Sequence, residues 1–215
     1  RADCQYVLHL HCARPARLSI FQIMMNGRLM RNAARQSIGI GIAFALAGGI
    51  AHAAERTTRM ELRSSAFAPD TEIPSLHTCE GRDQSPPLAW TGVPAGTKSL
   101  ALIVDDPDAP DPAAPKMIWV HWMLYNIPPD TAGFAAGVPP AALPAGTREG
   151  LNDWQRTGYG GPCPPIGRHR YFHKLYALDT VLPVLQPATR SALESAMRGH
   201  ILAQGELVGL YRKKR

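Results

Sequence analysis

The sequence lacks an apolar run long enough to cross a membrane. The run Ile38–Ile50 has 13 residues, whereas a transmembrane helix needs about 20. It follows the basic start Met30-Arg31 and leads into Ala51-His52-Ala53, which has the A-x-A pattern of a cleavage site. We therefore interpret residues 30–53 as a secretory signal peptide rather than a membrane anchor.

This interpretation divides the chain. We expect residues 1–29 to be an upstream leader, either an over-extended reading frame or a disordered segment, outside the mature protein. Residues 54–215 then form a single domain with enough chain for one hydrophobic core. The mature protein is expected in the periplasm or outside the cell, without a transmembrane segment.

The predicted domain also lacks a surplus of positive charge. Six of the 23 Lys and Arg residues and one of the 17 Asp and Glu residues precede Ala54, which leaves the domain near a net charge of +1. A nucleic-acid-binding domain needs a basic face, so the sequence predicts no nucleic-acid partner. The cluster of four basic residues at positions 212–215 is typical of a solvated chain end.

Cysteine is scarce, because only Cys79 and Cys163 of the four cysteines fall in the predicted domain. Two cysteines in an exported domain predict one disulfide, with two free thiols as the alternative. A disulfide would remove Cys163 as a nucleophile. The prolines on both sides of Cys163 also leave no helix start that would lower the pKa of its thiol.

Motifs of several functional classes are missing as well. No G-x-S-x-G elbow is present, no G-K-[ST] follows the glycine-rich stretch, and no alternation of strands and helices predicts a Rossmann-like domain. His169 and His173 lie in a predicted strand, where four residues span about 13 Å. That distance is too long for two ligands of one zinc ion. The sequence therefore predicts no enzyme activity, no cofactor and no metal site.

What the domain contains is strands separated by Gly- and Pro-rich connections. The strand patterns cover Arg59–Arg63, Lys98–Val104, Met117–Ile127, His169–Asp179 and Gly205–Tyr211. One helical pattern covers Thr189–Ala203, with either a Ser191/Glu194 capping box or Thr189 as its cap. This order favours a mainly β, antiparallel fold with a single helix near the end.

The stretch Gly158–Lys174 combines a rigid loop with the start of a strand and predicts one wall of a binding site. Its run GYGGPCPPIG could bring backbone amides close to an anion. His169, at the first strand position, could supply a charge near neutral pH. Asp106, in the acidic Pro-rich loop expected after Lys98–Val104, could orient that ring. Tyr171 would add a hydroxyl group to this predicted site, and Trp119 would add an apolar edge.

His121 lies in the strand Met117–Ile127. Alternation places Met117, Trp119, Met123 and Tyr125 on the same face as His121, and both faces of the strand are apolar. The strand is therefore expected to be buried on both sides. A histidine in such a strand is either a structural core residue or a ligand-binding residue.

Three motifs, in this order and spacing, resemble the phosphatidylethanolamine-binding protein family, in particular its bacterial Raf kinase inhibitor-like branch. They are Asp106-Pro107-Asp108-Ala109-Pro110, then Trp119-Val120-His121-Trp122 with Asn126-Ile127-Pro128, then GYGGPCPPIG with His169-Arg170-Tyr171. The resemblance extends to Ser85-Pro86-Pro87-Leu88, to Trp90 and to the closing segment GHILAQGELVGLY.

The resemblance implies a large central antiparallel sheet, a smaller sheet packed on it and a C-terminal helix that includes the closing segment. It also implies a pocket for phosphate or phosphorylated head groups in a non-enzymatic protein, and a homodimer. The ligand-binding residues carried over by position are Asp106, Asp108, Trp119, His121, Gly161, Pro162, His169 and Tyr171.

The alternative is a secreted interaction or inhibitor protein that acts on a protein partner through its surface. The kinase-regulating surfaces of some members are not transferred, since an exported protein meets no cytosolic kinase. The sequence also departs from the eukaryotic pattern, because Val120 stands where eukaryotic members often have a second histidine.

Overall fold

The computed structural model describes residues 60–214, so the predicted leader and signal peptide lie outside it. Within these residues the chain forms strands and one α-helix, α1, at Arg190–Met197. The strands are β1 Glu61–Arg63, β2 Thr71–Glu72, β3 Leu88–Thr91, β4 Ser99–Asp106, β5 Trp119–Ile127, β6 Gly133–Phe134, β7 Arg148–Glu149, β8 His169–Leu178 and β9 Ile201–Tyr211. No helix among the described residues is long and apolar enough to cross a membrane.

The strands form two sheets, as the family resemblance implied. The larger has six strands in the order β2-β9-β8-β4-β5-β7, and the smaller has three in the order β1-β3-β6. All neighbours pair antiparallel except β2 and β9, which are parallel at one edge. The fold is therefore mainly β, with a large and a small sheet.

Strand β4 lies at the centre of the large sheet and is buried along its whole length. Leu100, Leu102 and Val104 belong to the core between the two sheets. Ala101 and Ile103 belong to a second core, which Leu193 and Met197 of helix α1 cover. The continuous apolar run in the sequence thus results from burial on both faces.

Strand β5 is buried on both sides as expected, but its alternation is interrupted. Asp105 of β4 pairs with Val120, and Val104 pairs with Trp122, so His121 is the extra residue of a β-bulge. Met123 and Tyr125 therefore pack in the core beneath α1. The predicted placement of these two side chains on the face of His121 is wrong.

The helix and the last strand differ most from the prediction. Thr189 caps α1 by accepting a hydrogen bond from the Ala192 N–H, and the helix ends at Met197 instead of continuing to Ala203. Gly199 has a φ of +82°, which breaks the helical path. The closing segment from Ile201 is strand β9, paired with β8 over most of its length, and not the end of a C-terminal helix.

The alternation in β9 explains this outcome. Ala203, Gly205, Leu207, Gly209 and Tyr211 face inward, whereas the residues between them are less buried. The strand forms in place of the predicted end of the helix, because β8 offers a long edge with which the alternating segment can pair. Likewise β4 extends to Asp106, since pairing with β5 and β8 continues past the predicted end at Val104.

Candidate ligand-binding site

Three neighbouring strands bring the predicted site residues to one end of the large sheet. Strand β4 lies between β8 and β5 and runs antiparallel to both. Its carboxyl end therefore lies beside the first residues of β5 and β8. A cavity of about 400 Å³ opens there, and its wall includes Asp106, Trp119, His121, His169 and Tyr171.

Asp106 and His169 form a buried pair in the cavity wall. The Nδ1 atom of His169 lies 2.7 Å from Oδ2 of Asp106, and its Nε2 atom lies 2.9 Å from the carbonyl oxygen of Ile166. A carbonyl oxygen only accepts hydrogen bonds, so Nε2 carries a proton. A second proton lies between Nδ1 and Oδ2, and the pair has no net charge whichever of the two atoms holds it.

Burial sets the electrostatics of this pair. It raises the pKa of Asp106, while the hydrogen bond from His169 and that from the Asp108 N–H oppose the rise. Both ring nitrogens of His169 are committed to protein atoms. The predicted role of Asp106 in orienting this ring agrees with the geometry, but the ring has no nitrogen left for a ligand in this arrangement.

His121 is buried and presents an imidazole nitrogen with a lone pair. Its Nδ1 donates to the carbonyl of Gly160 at 2.7 Å, and its own carbonyl accepts from the Gly160 N–H. The other nitrogen, Nε2, has no hydrogen-bond partner among residues 60–214. Burial lowers the pKa of His121 to about 4, so the ring is neutral at neutral pH and Nε2 is an acceptor.

Tyr171 supplies the hydroxyl that the sequence predicted. Its side chain is buried, and its hydroxyl has no hydrogen-bond partner in the described part of the chain. Burial raises the pKa of this phenol, so it remains protonated. The Tyr171 ring lies 5.1 Å from that of His121. The two residues that carry this donor and this acceptor therefore both line the same cavity, although the two atoms themselves are buried.

Trp154 is a cavity residue that the sequence reasoning missed. Its ring packs edge-on against Trp119 at 5.3 Å and against His121 at 5.2 Å, and it lines the cavity. The Asn152 side chain holds its backbone by accepting from the Trp154 N–H. The available signal was a large aromatic residue in a polar, irregular segment directly before the Gly158–Lys174 stretch.

Asp108 lies outside the cavity wall. Its carboxylate accepts hydrogen bonds from the Arg170 side chain at 2.6 and 2.9 Å and from the Arg170 N–H at 2.9 Å. The hydrogen bond from Arg170 lowers the pKa of Asp108. Asp108 thus anchors the acidic loop to β8. The structure places it beside the site rather than in it.

Gly161 and Pro162 lie just outside the cavity lining, directly before the loop residues that belong to it. The Gly161 N–H donates to Oδ1 of Asp83 at 2.6 Å, and the Pro162 carbonyl accepts from Cys79. The Gly160 N–H is used by His121, and the prolines at 162, 164 and 165 have no N–H group. The Gly160 and Gly161 amides therefore hold the loop in place, and these two are not available to an anion in this arrangement.

The predicted disulfide is present and belongs to this wall. Cys79 and Cys163 are bonded, with their Cα atoms 5.4 Å apart. Cys163 and the following prolines line the cavity. The bond ties the cavity loop to the segment that also carries Asp83. Among residues 60–214, no cluster of three or more His, Cys, Asp or Glu side chains could hold a metal ion.

Comparisons with known proteins agree with this architecture. The model of the phosphatidylethanolamine-binding protein family matches residues 63–212. The UPF0098 protein of Methanothermobacter thermautotrophicus is 51% identical over 155 residues, which cover 72% of this chain and 99% of the relative. The corresponding protein of Aquifex aeolicus is 45% identical and covers 72% of this chain and 89% of its own length.

Solved structures give the same result. A phosphatidylethanolamine-binding protein homologue of Chlamydia trachomatis is 41% identical, with a TM-score of 0.67 over 73% of this chain and 99% of the homologue. Escherichia coli YbcL, described as a member of the mammalian PEBP family, is 32% identical, with a TM-score of 0.66 over the same shares. The chain therefore belongs to the phosphatidylethanolamine-binding protein family.

Proposed function

We propose that this protein is an exported, non-enzymatic binding protein whose cavity takes a phosphate-bearing small molecule or lipid head group. The observation that carries the proposal is that two residues lining one cavity, His121 and Tyr171, each carry a buried polar atom, Nε2 and the hydroxyl, without a hydrogen-bond partner among residues 60–214. Buried polar groups normally have hydrogen-bond partners. A polar ligand is the natural partner for both.

The chemistry of the cavity favours binding over catalysis. Cys163 is held in a disulfide and has no thiolate to attack a substrate. His169 has the aspartate partner that a catalytic base often has, but its Nε2 proton is committed to the Ile166 carbonyl. A general base needs a free nitrogen within reach of the proton that it removes. His121 has such a nitrogen, but burial lowers the pKa of its ring to about 4, which makes it a weak base.

Two observations favour export. Residues 30–53 have the basic start, short apolar run and A-x-A end of a signal peptide. The domain also has a disulfide, and disulfides persist in oxidising compartments. N-terminal sequencing of protein recovered from the periplasm should find a mature start near Ala54. Full-length protein confined to the cytoplasm would contradict this part of the proposal.

Titration calorimetry with inorganic phosphate and phosphoethanolamine tests the binding function. We expect His169→Ala and Asp106→Ala to weaken affinity by about tenfold or more, the equivalent of about 1.4 kcal/mol, because each change removes the hydrogen bond that fixes the cavity wall. Tyr171→Phe should weaken affinity while leaving the fold intact, since it removes only the hydroxyl.

The matched controls are His200→Ala and Asp179→Ala. These residues form a second His–Asp pair at 2.8 Å, with both side chains 46% exposed, outside the cavity wall. Their substitution should leave the affinity unchanged. If phosphate fails to bind the wild-type protein, or binds all variants equally, the cavity function is wrong and action on a protein partner through the surface remains.

A further inference from the structure

The methionines in the described part of the chain differ sharply in their exposure to solvent. Three of the four in residues 60–214 are buried, each at most 2% exposed: Met60, Met123 and Met197. Met117 is 50% exposed. Among these residues it therefore carries the one thioether that an oxidant in solution can reach without any opening of the fold.

No free thiol within residues 60–214 competes for such an oxidant. The two cysteines of this part of the chain, Cys79 and Cys163, are bonded to each other. A thiolate is the sulfur species that reacts most readily with a peroxide, and a disulfide has none. The thioether of Met117 is thus the accessible reduced sulfur of the described chain.

The position of Met117 is fixed by its main chain. The N–H groups of Lys116 and Met117 both donate to the carbonyl oxygen of Ala109, at 2.9 and 3.3 Å. The side chain lies in the cavity lining together with Ala109 and Trp119. A residue that is half exposed and also lines the cavity lies where the cavity meets solvent. A chemical change at Met117 therefore alters the cavity mouth.

Oxidation would change the character of this side chain. A thioether is flexible, polarisable and apolar, whereas a sulfoxide is polar and carries an oxygen that accepts hydrogen bonds. Burying that oxygen without a donor costs free energy. An oxidised Met117 would therefore keep its oxygen in water, and the cavity mouth would lose part of its apolar wall.

We propose that Met117 is a modification site, at which a peroxide converts the thioether to a sulfoxide and makes the cavity mouth more polar. A lone pair of the sulfur attacks one oxygen of hydrogen peroxide. The S–O bond forms as the O–O bond breaks, and a proton moves to the departing oxygen, which leaves as water. The sulfur loses two electrons and the peroxide gains them.

Peptide mapping after treatment with hydrogen peroxide locates the site in the folded protein. Tryptic cleavage after Lys116 yields residues 117–148, a peptide that also contains Met123. Fragment ions in tandem mass spectrometry assign the added oxygen to one of its two sulfurs. We expect Met117 to be oxidised about tenfold faster, or more, than the three buried methionines, because a buried side chain reacts only after local opening.

Unfolding provides the control for intrinsic reactivity. In urea, the four methionines of residues 60–214 should be oxidised at similar rates, since none of them is then buried. A Met117 that still reacts much faster than the others in urea would overturn the assignment, because its local sequence and not its exposure would then set the rate.

Tryptophan fluorescence measures the effect on the cavity. Trp119 and Trp154 line the cavity, whereas Trp90 and Trp122 are at most 3% exposed and lie outside its lining. A polar sulfoxide at the mouth should shift the emission to longer wavelength. This readout needs no ligand, so it does not depend on the proposed binding function.

Two leucine variants separate Met117 from its neighbour in the same peptide. Leucine conserves the volume and apolar character of methionine. Met117→Leu should take up no oxygen in residues 60–214 when folded, and peroxide should leave its emission unchanged. Met123→Leu, a change at a buried methionine, should respond to peroxide as the wild type does.

Three outcomes would overturn the inference. The first is oxidation of a buried methionine as fast as that of Met117 in the folded protein. The second is an emission shift that persists in Met117→Leu, since the oxidant would then act elsewhere. The third is a fully oxidised Met117 with unchanged emission, because the modification would then leave the cavity mouth as it was.

Discussion

At the scale of single residues, two His–Asp pairs of similar geometry have opposite surroundings. The His169–Asp106 side chains are 1% and 5% exposed, whereas both members of the His200–Asp179 pair are half exposed. An exposed pair is screened by water and contributes little to stability. The buried pair cannot lose a partner without leaving an unsatisfied polar group. It therefore fixes the wall of the cavity.

His173 is another buried histidine, and its burial makes the stability of the folded protein depend on pH. Neither ring nitrogen has a hydrogen-bond partner within the described residues, and burial lowers its pKa to about 4. As the pH falls from about 6.5 toward 4, the unfolded chain binds a proton that the folded chain does not. Stability is therefore lost on acidification, by about 2 kcal/mol at pH 5.

We expect His173→Leu to remove this loss. The variant should match the wild type within about 1 kcal/mol at pH 7.5, because an apolar side chain suits the contact with Phe67. At pH 5 it should be more stable than the wild type by about 2 kcal/mol. Urea denaturation at the two pH values measures the difference.

The matched control is His200→Leu, a change at an exposed histidine. Its free energy of unfolding should follow the wild-type pH dependence closely. A His173→Leu variant that loses as much stability on acidification as the wild type would mean that His173 is protonated in the folded protein. His121 adds a similar pH-dependent term in all of these proteins.

At the scale of elements, the loop before β8 is positioned by two glycines with different neighbours. A Cβ atom at Gly161 would lie 2.5 Å from the His77 carbonyl oxygen and 2.6 Å from the Asp83 carboxylate. A Cβ atom at Gly160 would meet the Trp154 ring at 2.5 Å. Backbone atoms cannot move aside, whereas the Trp154 side chain is 40% exposed and can shift.

Alanine substitutions should therefore differ in cost at these neighbouring positions. We expect Gly161→Ala to lower the free energy of unfolding by about 3 kcal/mol and Gly160→Ala by about 1 kcal/mol. Gly160→Ala should nevertheless change the tryptophan fluorescence, because Trp154 moves in the cavity wall. Equal destabilisation by both substitutions would mean that the loop adapts its backbone, contrary to this account.

The elements also show which features a sequence can predict. The buried runs of β4 and β5 and the motifs at Asp106 and His169 follow from local patterns, and the two sheets were expected from the resemblance. The bulge at His121 was not predictable, because it depends on the register between β4 and β5. The end of α1 at Met197 was not predicted, because the helical pattern that continues to Ala203 overlaps the alternating pattern of β9. Only the pairing of β9 with the edge of β8 decides between helix and strand there.

The cavity illustrates the same limit. Asp106, His121, His169 and Tyr171 were expected together from the resemblance and do line one cavity. Asp108, Gly161 and Pro162 lie outside its lining, because Arg170, Asp83 and Cys79 bind them instead. Two of these partners, Arg170 and Asp83, lie 62 and 78 residues away in the chain from the residues that they bind. Which atoms of a motif remain free for a ligand therefore depends on tertiary contacts that spacing does not reveal.

At the scale of the molecule, long-range ties hold the cavity end of the domain together. The disulfide joins residues 84 positions apart. Glu80, next to Cys79, accepts hydrogen bonds from the Tyr211 hydroxyl and the Lys214 N–H. The segment around Cys79 is thus connected to the cavity loop, to the end of β9 and to the residues after it. Loss of one tie loosens a segment that supports the cavity.

Breaking the disulfide should lower stability through the unfolded chain. Closing a loop of this length restricts the unfolded ensemble, which corresponds to about 4.6 kcal/mol. We expect a Cys79→Ser, Cys163→Ser variant to unfold at lower urea concentration, with a loss of that size. Wild-type protein in excess dithiothreitol should approach the variant, whereas the variant should not respond to dithiothreitol. A wild type that is equally stable with and without reductant would mean that the hydrogen bonds around Glu80 and Pro162 hold these segments together without the covalent link.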